Sequence, residues 1–135
     1  MKRNDTEIKL AVTGSSWMKR GVGSIQSLMR ETLSKAKDEV LIAAYSISAN
    51  KEFLQMLEDL LIRGIRVSII ANKFNNQHKS VQKILKKMGS KYNKFILFSF
   101  EPADDFEDLH AKLIVVDHSS ALVGSANISE QYLRK

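Results

Sequence analysis

Three apolar runs of strand length, separated by segments with helical spacing, limit the possible folds more than any other feature of this chain. The runs cover residues 40–45, 65–71 and 95–100. The first is a continuous apolar run, which is typical of a β-strand covered on both faces, whereas the second contains Arg66 and Ser68 and the third contains Ser99. Strands that alternate with helices form a largely parallel sheet, because each helix returns the chain to the edge where the previous strand began.

The segments between the runs predict three helices, from their apolar spacing and their end signals. The first is predicted over about residues 24–37, with a serine as its N-cap. The second is expected to begin at residues 48–50 and to stop at Gly64. The third is expected to follow residues 75–77 and to stop at Gly89, since glycine commonly ends a helix.

Three further strands complete the predicted order. Residues 8–12 alternate weakly and predict an edge strand, and residues 109–116 and 121–124 predict two strands joined by a turn at 117–120. The predicted fold class is therefore α/β, with a mixed, mainly parallel sheet, helices on both faces and a terminal hairpin. The length of 135 residues suits a single domain over residues 1–135.

Composition excludes several classes of protein. The chain is 44% apolar and 27% charged, as in ordinary globular proteins, and no apolar stretch is long enough to span a bilayer. It contains no cysteine, which excludes disulfides and thiolate metal sites and suits the reducing cytoplasm. We therefore expect a cytoplasmic protein.

The charge is basic and unevenly distributed. There are 21 lysines and arginines against 15 acidic residues, and every charged side chain within residues 60–94 is basic. Such a stripe can bind a phosphate backbone by counterion release, whereas a solvated helix face is an equal explanation for the lysines at 83–87. The candidate nucleic-acid-binding residues are Arg63, Arg66, Lys73, Lys79 and Lys83.

Two short segments near the C-terminus carry the candidate chemistry. His110 and Lys112 lie two residues apart on a predicted strand, so they emerge on the same face, and Ser125 and Asn127 share a face by the same rule. If the two strands form a hairpin, all four meet at its open end, where Gly124 allows close backbone approach to a ligand. A nucleophile, a cation and polar donors in one patch are the groups that a phosphodiester needs.

Asp117 is expected to have a different role. It lies an odd number of residues from His110, at the far end of the same predicted strand. Side chains alternate between the two faces of a strand, so Asp117 should point away from the catalytic patch. We therefore predict that it supports the hairpin turn and does not orient the imidazole.

The spacing of these residues resembles the signature of the phospholipase D superfamily. That signature, the HKD motif, is His-x-Lys, four residues, Asp, six residues, Gly-Ser-x-Asn, and all six fixed positions agree here. The alternation of strands and helices before the motif also suits the family, and Tyr45–Ser46 and residues 63–67 are similar to recurring family segments. The alternative is a buried strand that carries His110 and Lys112 by chance.

The resemblance implies a role for each matched residue. His110 would attack phosphorus and form a phosphohistidine intermediate. Lys112 and Asn127 would stabilise the equatorial oxygens, and Ser125 would add a hydroxyl contact. The family enzymes need no cofactor, and the sequence has no metal-site spacing of histidines and carboxylates, so we expect metal-independent cleavage.

A second histidine must protonate the leaving oxygen. The chain has one copy of the motif and so resembles the small single-motif bacterial nucleases, in which a homodimer brings two copies of the motif histidine together. That resemblance predicts a homodimer whose active site contains His110 from each subunit. His78 and His118 are the other candidates for the acid, and both are expected to be surface residues.

The sequence departs from the family in two places. The family pattern continues with a strand bearing a carboxylate that orients the histidine, whereas this sequence stops at Lys135; we expect a truncated chain or a substitute such as Glu130. The loop at residues 101–108 is acidic beside a site for an anion. A solvated loop is the favoured explanation, and a mobile autoinhibitory gate is the sharper alternative.

Three functions stay open on the sequence. A nuclease acting on DNA, or on RNA, is favoured by the basic stripe and the single motif, on its own or in a larger assembly. A phospholipid hydrolase would need a membrane-docking segment, for which Trp17, Met18 and Val22 are the sole candidates, so a membrane partner is not expected. A catalytically silent nucleic-acid-binding or scaffold module would keep the fold without turnover.

Overall fold

The computed structural model describes residues 11–12, 23–47, 51–103 and 112–124. Its helices and strands follow the predicted order with two additions, a short strand before the first helix and a 3₁₀ turn before the third. The elements are β1 (Ala11–Val12), β2 (Gly23–Ser24), α1 (Ile25–Ser34), β3 (Glu39–Ala44), α2 (Lys51–Ile62), β4 (Arg66–Asn72), the 3₁₀ turn (Phe74–Asn76), α3 (Lys79–Lys91), β5 (Phe95–Phe100), β6 (Lys112–Val116) and β7 (Ser120–Val123).

Five strands form one mixed sheet in the order β5-β4-β3-β6-β7. β3 pairs in parallel with β4, and β4 with β5, while β6 pairs antiparallel with both β3 and β7. This confirms the predicted mixed α/β sheet and its hairpin. The expected edge strand is different: Ala11–Val12 pairs with Gly23–Ser24 in a separate two-stranded sheet, and residues 8–10 lie outside the described part.

One side of the five-stranded sheet forms the core with the helices. Because residues paired across strands share a face, Ile42, Ile69 and Ile114 form one row on this side, and each is at most 3% exposed. Phe53 and Leu57 of α2 belong to the same cluster and are completely buried, as expected for residues with helical spacing. The described helices α1, α2 and α3 all contribute to this one core.

The other side of the sheet is apolar but more open. Phe98 and Val123, on its two edge strands, are 51% and 73% exposed, whereas Ala43 at its centre is buried. The described helices all belong to the core on the first side, whereas the sequence predicted helices on both faces. None of the described helices is long and apolar enough to cross a membrane.

Two predicted helix ends differ from the structure. α3 continues through Gly89 to Lys91, because the backbone hydrogen bonds persist and the Tyr92 amide closes the helix on Met88. A glycine alone weakens a helix without ending it when the next turn is still bonded. α1 instead ends at Ser34, three residues before the predicted end at Lys37, because the amides of Lys37 and Asp38 bond to the Asp117 carboxylate in the distant hairpin turn.

Candidate functional site

Two positions of the motif that the structure describes, Lys112 and Gly124, lie at one edge of the sheet. β6 runs antiparallel to β3, and its first residue, Lys112, pairs with Ala44, the last residue of β3. β7 runs back along β6 and leads to Gly124 at the same edge, since Val123 pairs with Leu113. The structure thus places the backbone of Lys112 and of Gly124 at the open end of the hairpin. His110, Ser125 and Asn127 lie outside the described residues.

Gln77, which no sequence pattern singles out, joins the two loops beside this edge. Its side-chain amide nitrogen donates to the carbonyls of Tyr45 at 2.9 Å and Asn72 at 2.7 Å, while its oxygen accepts from the amide of Ile47 at 3.2 Å. Tyr45 and Ile47 follow β3, and Asn72 is the last residue of β4. The Gln77 amide therefore fixes the backbone that immediately follows Ala44, the partner of Lys112.

The 3₁₀ turn is fastened to the end of β5 at the same edge. The Lys73 amide donates to the Phe100 carbonyl at 3.0 Å, and the Phe74 amide donates to the Ser99 hydroxyl at 2.9 Å. Phe74 is buried, and Lys73 has left-handed backbone angles that let the chain turn sharply after β4. Within the acidic loop, Glu101 is described and lies beside this turn. Residues 104–108 lie outside the described part, so the autoinhibitory gate stays a prediction.

The predicted basic residues divide between opposite edges of the sheet. Lys73 follows the carboxyl end of β4, Lys79 begins α3 at that same edge, and Lys83 is exposed one turn further along α3. Arg66 begins β4 and so lies about 20 Å away at the other edge, at the usual rise of a strand. Arg63 lies just before it, at the end of α2.

Arg63 and Arg66 also have structural partners at their edge. The Arg63 guanidinium donates to the Ala36 carbonyl at 2.6 Å, and Arg66 forms an ion pair with Glu39 at 3.4 Å. The structure therefore brings Lys73, Lys79 and Lys83 to the side of Lys112 and keeps both arginines away from it. The sequence does not predict this separation of the basic residues, because β4 carries the chain from one edge of the sheet to the other.

Asp117 lies at the edge opposite Lys112 and binds backbone amides. Its carboxylate accepts from the amides of Lys37, Asp38 and Glu39 at 2.8–2.9 Å, and its own amide donates to the Glu39 carbonyl at 2.9 Å. These hydrogen bonds, from Glu39 first and then from Asp38 and Lys37, lower the pKa of Asp117 below its ordinary value. Asp117 thus joins the hairpin turn to the start of β3, a wider supporting role than the turn alone.

Replacing Asp117 by alanine is expected to destabilise the fold, since three amides lose an anionic acceptor. Because the folded-state pKa is lowered, this stabilisation is complete above the unfolded pKa of about 3.9 and is lost as the pH falls through the folded value. Thermal unfolding measured against pH should show a lower Tm at neutral pH and a flatter acid limb for Asp117→Ala. Asp59→Ala, which removes an exposed helix carboxylate, is the control; an equal loss in both variants would contradict this role.

The other two histidines are surface residues, as expected. His78 is exposed and forms the N-cap of α3, where its Nδ1 accepts from the Ser80 amide at 3.2 Å. His118 lies in the hairpin turn beside Asp117, has left-handed backbone angles and forms an ion pair with Glu39. The turn places His118 at the opposite edge from Lys112, too far to share a phosphate with it.

Comparison with known families gives a match over most of the chain. A family model described as "Cardiolipin synthase, PLD-like domain" matches residues 29–135. Among curated proteins, the chain is similar to the DISARM protein DrmC of Bacillus paralicheniformis, with 25% identity over 105 residues. That match covers 76% of this chain but 42% of DrmC, so the chain spans less than half of the relative's length.

Several solved structures share the fold. NucT from Helicobacter pylori superposes with a TM-score of 0.64 and 22% identity, over 79% of this chain and 69% of NucT. Nuc from Salmonella typhimurium, a phospholipase D family member, gives 0.66 and 23%, over 84% of this chain and 71% of Nuc. Phosphatidylserine synthase from Haemophilus influenzae gives 0.69 and 13%, over 83% of this chain and 30% of that chain.

Proposed function

This chain belongs to the phospholipase D-like family, and from that premise we propose that it is a phosphodiesterase that cleaves nucleic acid, with DNA as the favoured substrate. The observation that carries the proposal is the antiparallel hairpin of β6 and β7, which holds Lys112 and Gly124 at one edge of the sheet. His110 precedes Lys112 by two residues, and Ser125 and Asn127 follow Gly124 directly. The proposal therefore places His110, Lys112, Ser125 and Asn127 together at this end of the hairpin.

In the proposed mechanism, an imidazole nitrogen of His110 attacks phosphorus, and the bond from phosphorus to the leaving oxygen breaks. Lys112, Asn127 and Ser125 stabilise the charge on the remaining phosphoryl oxygens. A second histidine gives its proton to the leaving oxygen, then removes a proton from the water that hydrolyses the phosphohistidine. The nucleophile comes from a side chain, so the mechanism calls for neither a metal ion nor a cofactor.

The second histidine is proposed to be His110 of another copy of this chain. A two-fold axis through the site would make each His110 the acid for the other and would give one shared site per homodimer. Within the described residues, His118 lies at the far edge and His78 caps a helix, which supports an acid from outside the chain. We also propose that the protein acts in the cytoplasm, because its sequence contains no cysteine. The homodimer can assemble with further subunits.

The nucleic-acid surface is proposed to consist of Lys73, Lys79 and Lys83. Arg63 and Arg66 are no longer included, because they lie at the opposite edge of the sheet and have structural partners there.

Replacing Lys79 and Lys83 together by alanine should weaken DNA binding and lower the slope of log affinity against log salt by about one for each phosphate that is no longer neutralised. Fluorescence anisotropy at several salt concentrations measures both quantities. Arg66→Ala is the matched control at the other edge and should keep the wild-type slope; a lower slope in that variant would reverse the assignment.

The function is tested by incubating the purified chain with supercoiled plasmid, single-stranded DNA, RNA and anionic vesicles, each in EDTA. Cleavage of the nucleic acids with intact vesicle lipid is the expected result. Lipid hydrolysis in place of nucleic-acid cleavage would assign the phospholipid reaction, and binding without cleavage would assign a silent module. Full loss of activity in EDTA that Mg²⁺ restores would contradict the histidine mechanism, and an active monomer would contradict the shared site.

A further inference from the structure

A cleft of about 310 Å³ lies between the 3₁₀ turn and the segment that follows β5. Its walls are Lys73, Asn75, Asn76, Glu101 and Pro102. It opens at the carboxyl ends of β4 and β5, the same edge of the sheet at which β6 begins. We call it the amide cleft, after its two asparagines, and it has no part in the mechanism above.

The backbone of the amide cleft is held in place by hydrogen bonds. The Asn76 amide donates to the Lys73 carbonyl at 2.7 Å, and the Gln82 side chain donates to the Asn75 carbonyl at 3.1 Å. The side-chain amides of Asn75 and Asn76 are exposed and have no hydrogen bond within the described part of the chain. Two pairs of donors and acceptors are thus presented on a fixed backbone, ready for a ligand.

Glu101 is also positioned before any ligand arrives. Its Oε1 accepts from the Ser99 hydroxyl at 2.6 Å, and that hydroxyl accepts from the Phe74 amide at 2.9 Å. This chain of hydrogen bonds holds the carboxylate beside the 3₁₀ turn. An ionised carboxylate accepts hydrogen bonds and cannot donate them, so its remaining capacity requires a donor from the ligand.

This combination fits a nucleobase better than a phosphate. A carboxylate at the wall repels a phosphate, whereas it accepts well from the exocyclic amine of cytosine, and an asparagine amide pairs with the amine and ring nitrogen of adenine. Thymine offers a carbonyl and a methyl group where these bases offer an amine. The lining of the amide cleft therefore matches an amino-bearing base.

The amide cleft lies at a suitable distance from the proposed point of cleavage. Ser99, Ala71, Ala44 and Lys112 are paired in one row across four adjacent strands. Three strand spacings separate Ser99 from Lys112, or about 14 Å between backbones. At about 3.4 Å per nucleotide along one strand, this distance corresponds to roughly four base steps.

We propose that the amide cleft binds one nucleobase of the substrate, a few nucleotides from the scissile phosphate, and favours cytosine or adenine over thymine. The proposal rests on the proposed function, because it names the substrate feature that the same edge recognises. Glu101 and Asn76 determine the preference, and the lysines supply affinity without regard to sequence. Raising the salt concentration should therefore weaken binding to every strand while leaving the preference between strands intact.

The test measures binding of short fluorescent homopolymers of dA, dC and dT by anisotropy, with His110→Ala to prevent turnover. We expect dC and dA to bind about tenfold more tightly than dT. Glu101→Gln and Asn76→Ala should each bring this ratio toward one, since each removes part of the hydrogen-bonding set. Asn93→Ala, an exposed asparagine in the turn before β5, is the matched control and should keep the ratio.

The outcomes separate this inference from the function on which it rests. Equal affinity for the three strands, with binding still dependent on salt, would overturn the amide cleft and leave the nuclease proposal standing. A preference that survives both Glu101→Gln and Asn76→Ala would also overturn it, because the groups that recognise the base would lie elsewhere. Failure of wild-type protein and His110→Ala to bind any strand, with no cleavage by wild type, would overturn both.

Discussion

Replacing His110 by alanine is expected to reduce phosphodiester cleavage by about a thousandfold or more, because the variant has no atom that can form the bond to phosphorus. In a homodimer with a shared site, the same substitution removes the proposed acid as well. Relaxation of supercoiled plasmid in EDTA, followed over time, measures the rate. Binding of the plasmid should change much less, since the lysines along α3 are intact.

His118→Ala is the matched control for the removal of an imidazole. His118 lies in the turn at the other edge of the sheet and pairs with Glu39, so its removal should leave the cleavage rate near that of the wild type. If His110→Ala still cleaves the plasmid, His110 is not the nucleophile. A loss of cleavage in His118→Ala at unchanged stability would instead move the acid to the hairpin turn.

Replacing Gln77 by leucine is expected to lower kcat by about tenfold to a hundredfold and to cost about 2 kcal/mol of folding free energy. The variant keeps the volume but leaves the Ile47 amide and the carbonyls of Tyr45 and Asn72 without this partner. Since the released loops adjoin the site without carrying its charges, KM should change less than kcat. Steady-state kinetics and urea unfolding measure the two effects.

A purely structural role for Gln77 would produce a different result. Gln77→Glu keeps an oxygen for the Ile47 amide but lacks the donor to the two carbonyls. If Gln77 positions the loops, kcat of this variant should lie between those of Gln77→Leu and the wild type. Gln55→Leu, on the outer surface of α2, is the control for the change of residue type. A lower stability of Gln77→Leu with an unchanged kcat, at a temperature where the variant is fully folded, would remove Gln77 as a positioning residue.

The strands and the hairpin were predictable because their patterns are local. The strand-length segment at residues 65–71 is rich in apolar residues, which is a local signal for a β-strand. The spacing between Lys112 and Gly124 is long enough for a hairpin that returns to its starting edge. Helix ends were less predictable. α1 stops early because Asp117, far along the chain, accepts from the amides of Lys37 and Asp38, and no residue near Ser34 in the sequence predicts that partner.

At the candidate site, the separate position of Asp117 was predictable, whereas the surroundings of Lys112 were not. Residue types and parity separated Asp117 from the catalytic patch, and the structure places it at the opposite edge from Lys112. The basic stripe was misleading as a single surface, since a strand runs through it and separates Arg66 from Lys73.

Gln77 is important because it bonds to Tyr45 and Ile47 after β3 and to Asn72 at the end of β4. Glu101 is linked through Ser99 to the Phe74 amide. A sequence pattern does not contain these contacts.

The central position of β3 has a consequence for how the protein assembles. Its partner β4 follows after one helix, whereas β6 comes from about 70 positions further along and has to close a much longer loop. The first three strands of the sheet can therefore associate while the chain is still being synthesised, and the hairpin docks last. Because Lys112 arrives with that final pairing, its edge of the sheet is assembled only when the hairpin has docked, and the proposed hydrolysis should begin only after that step.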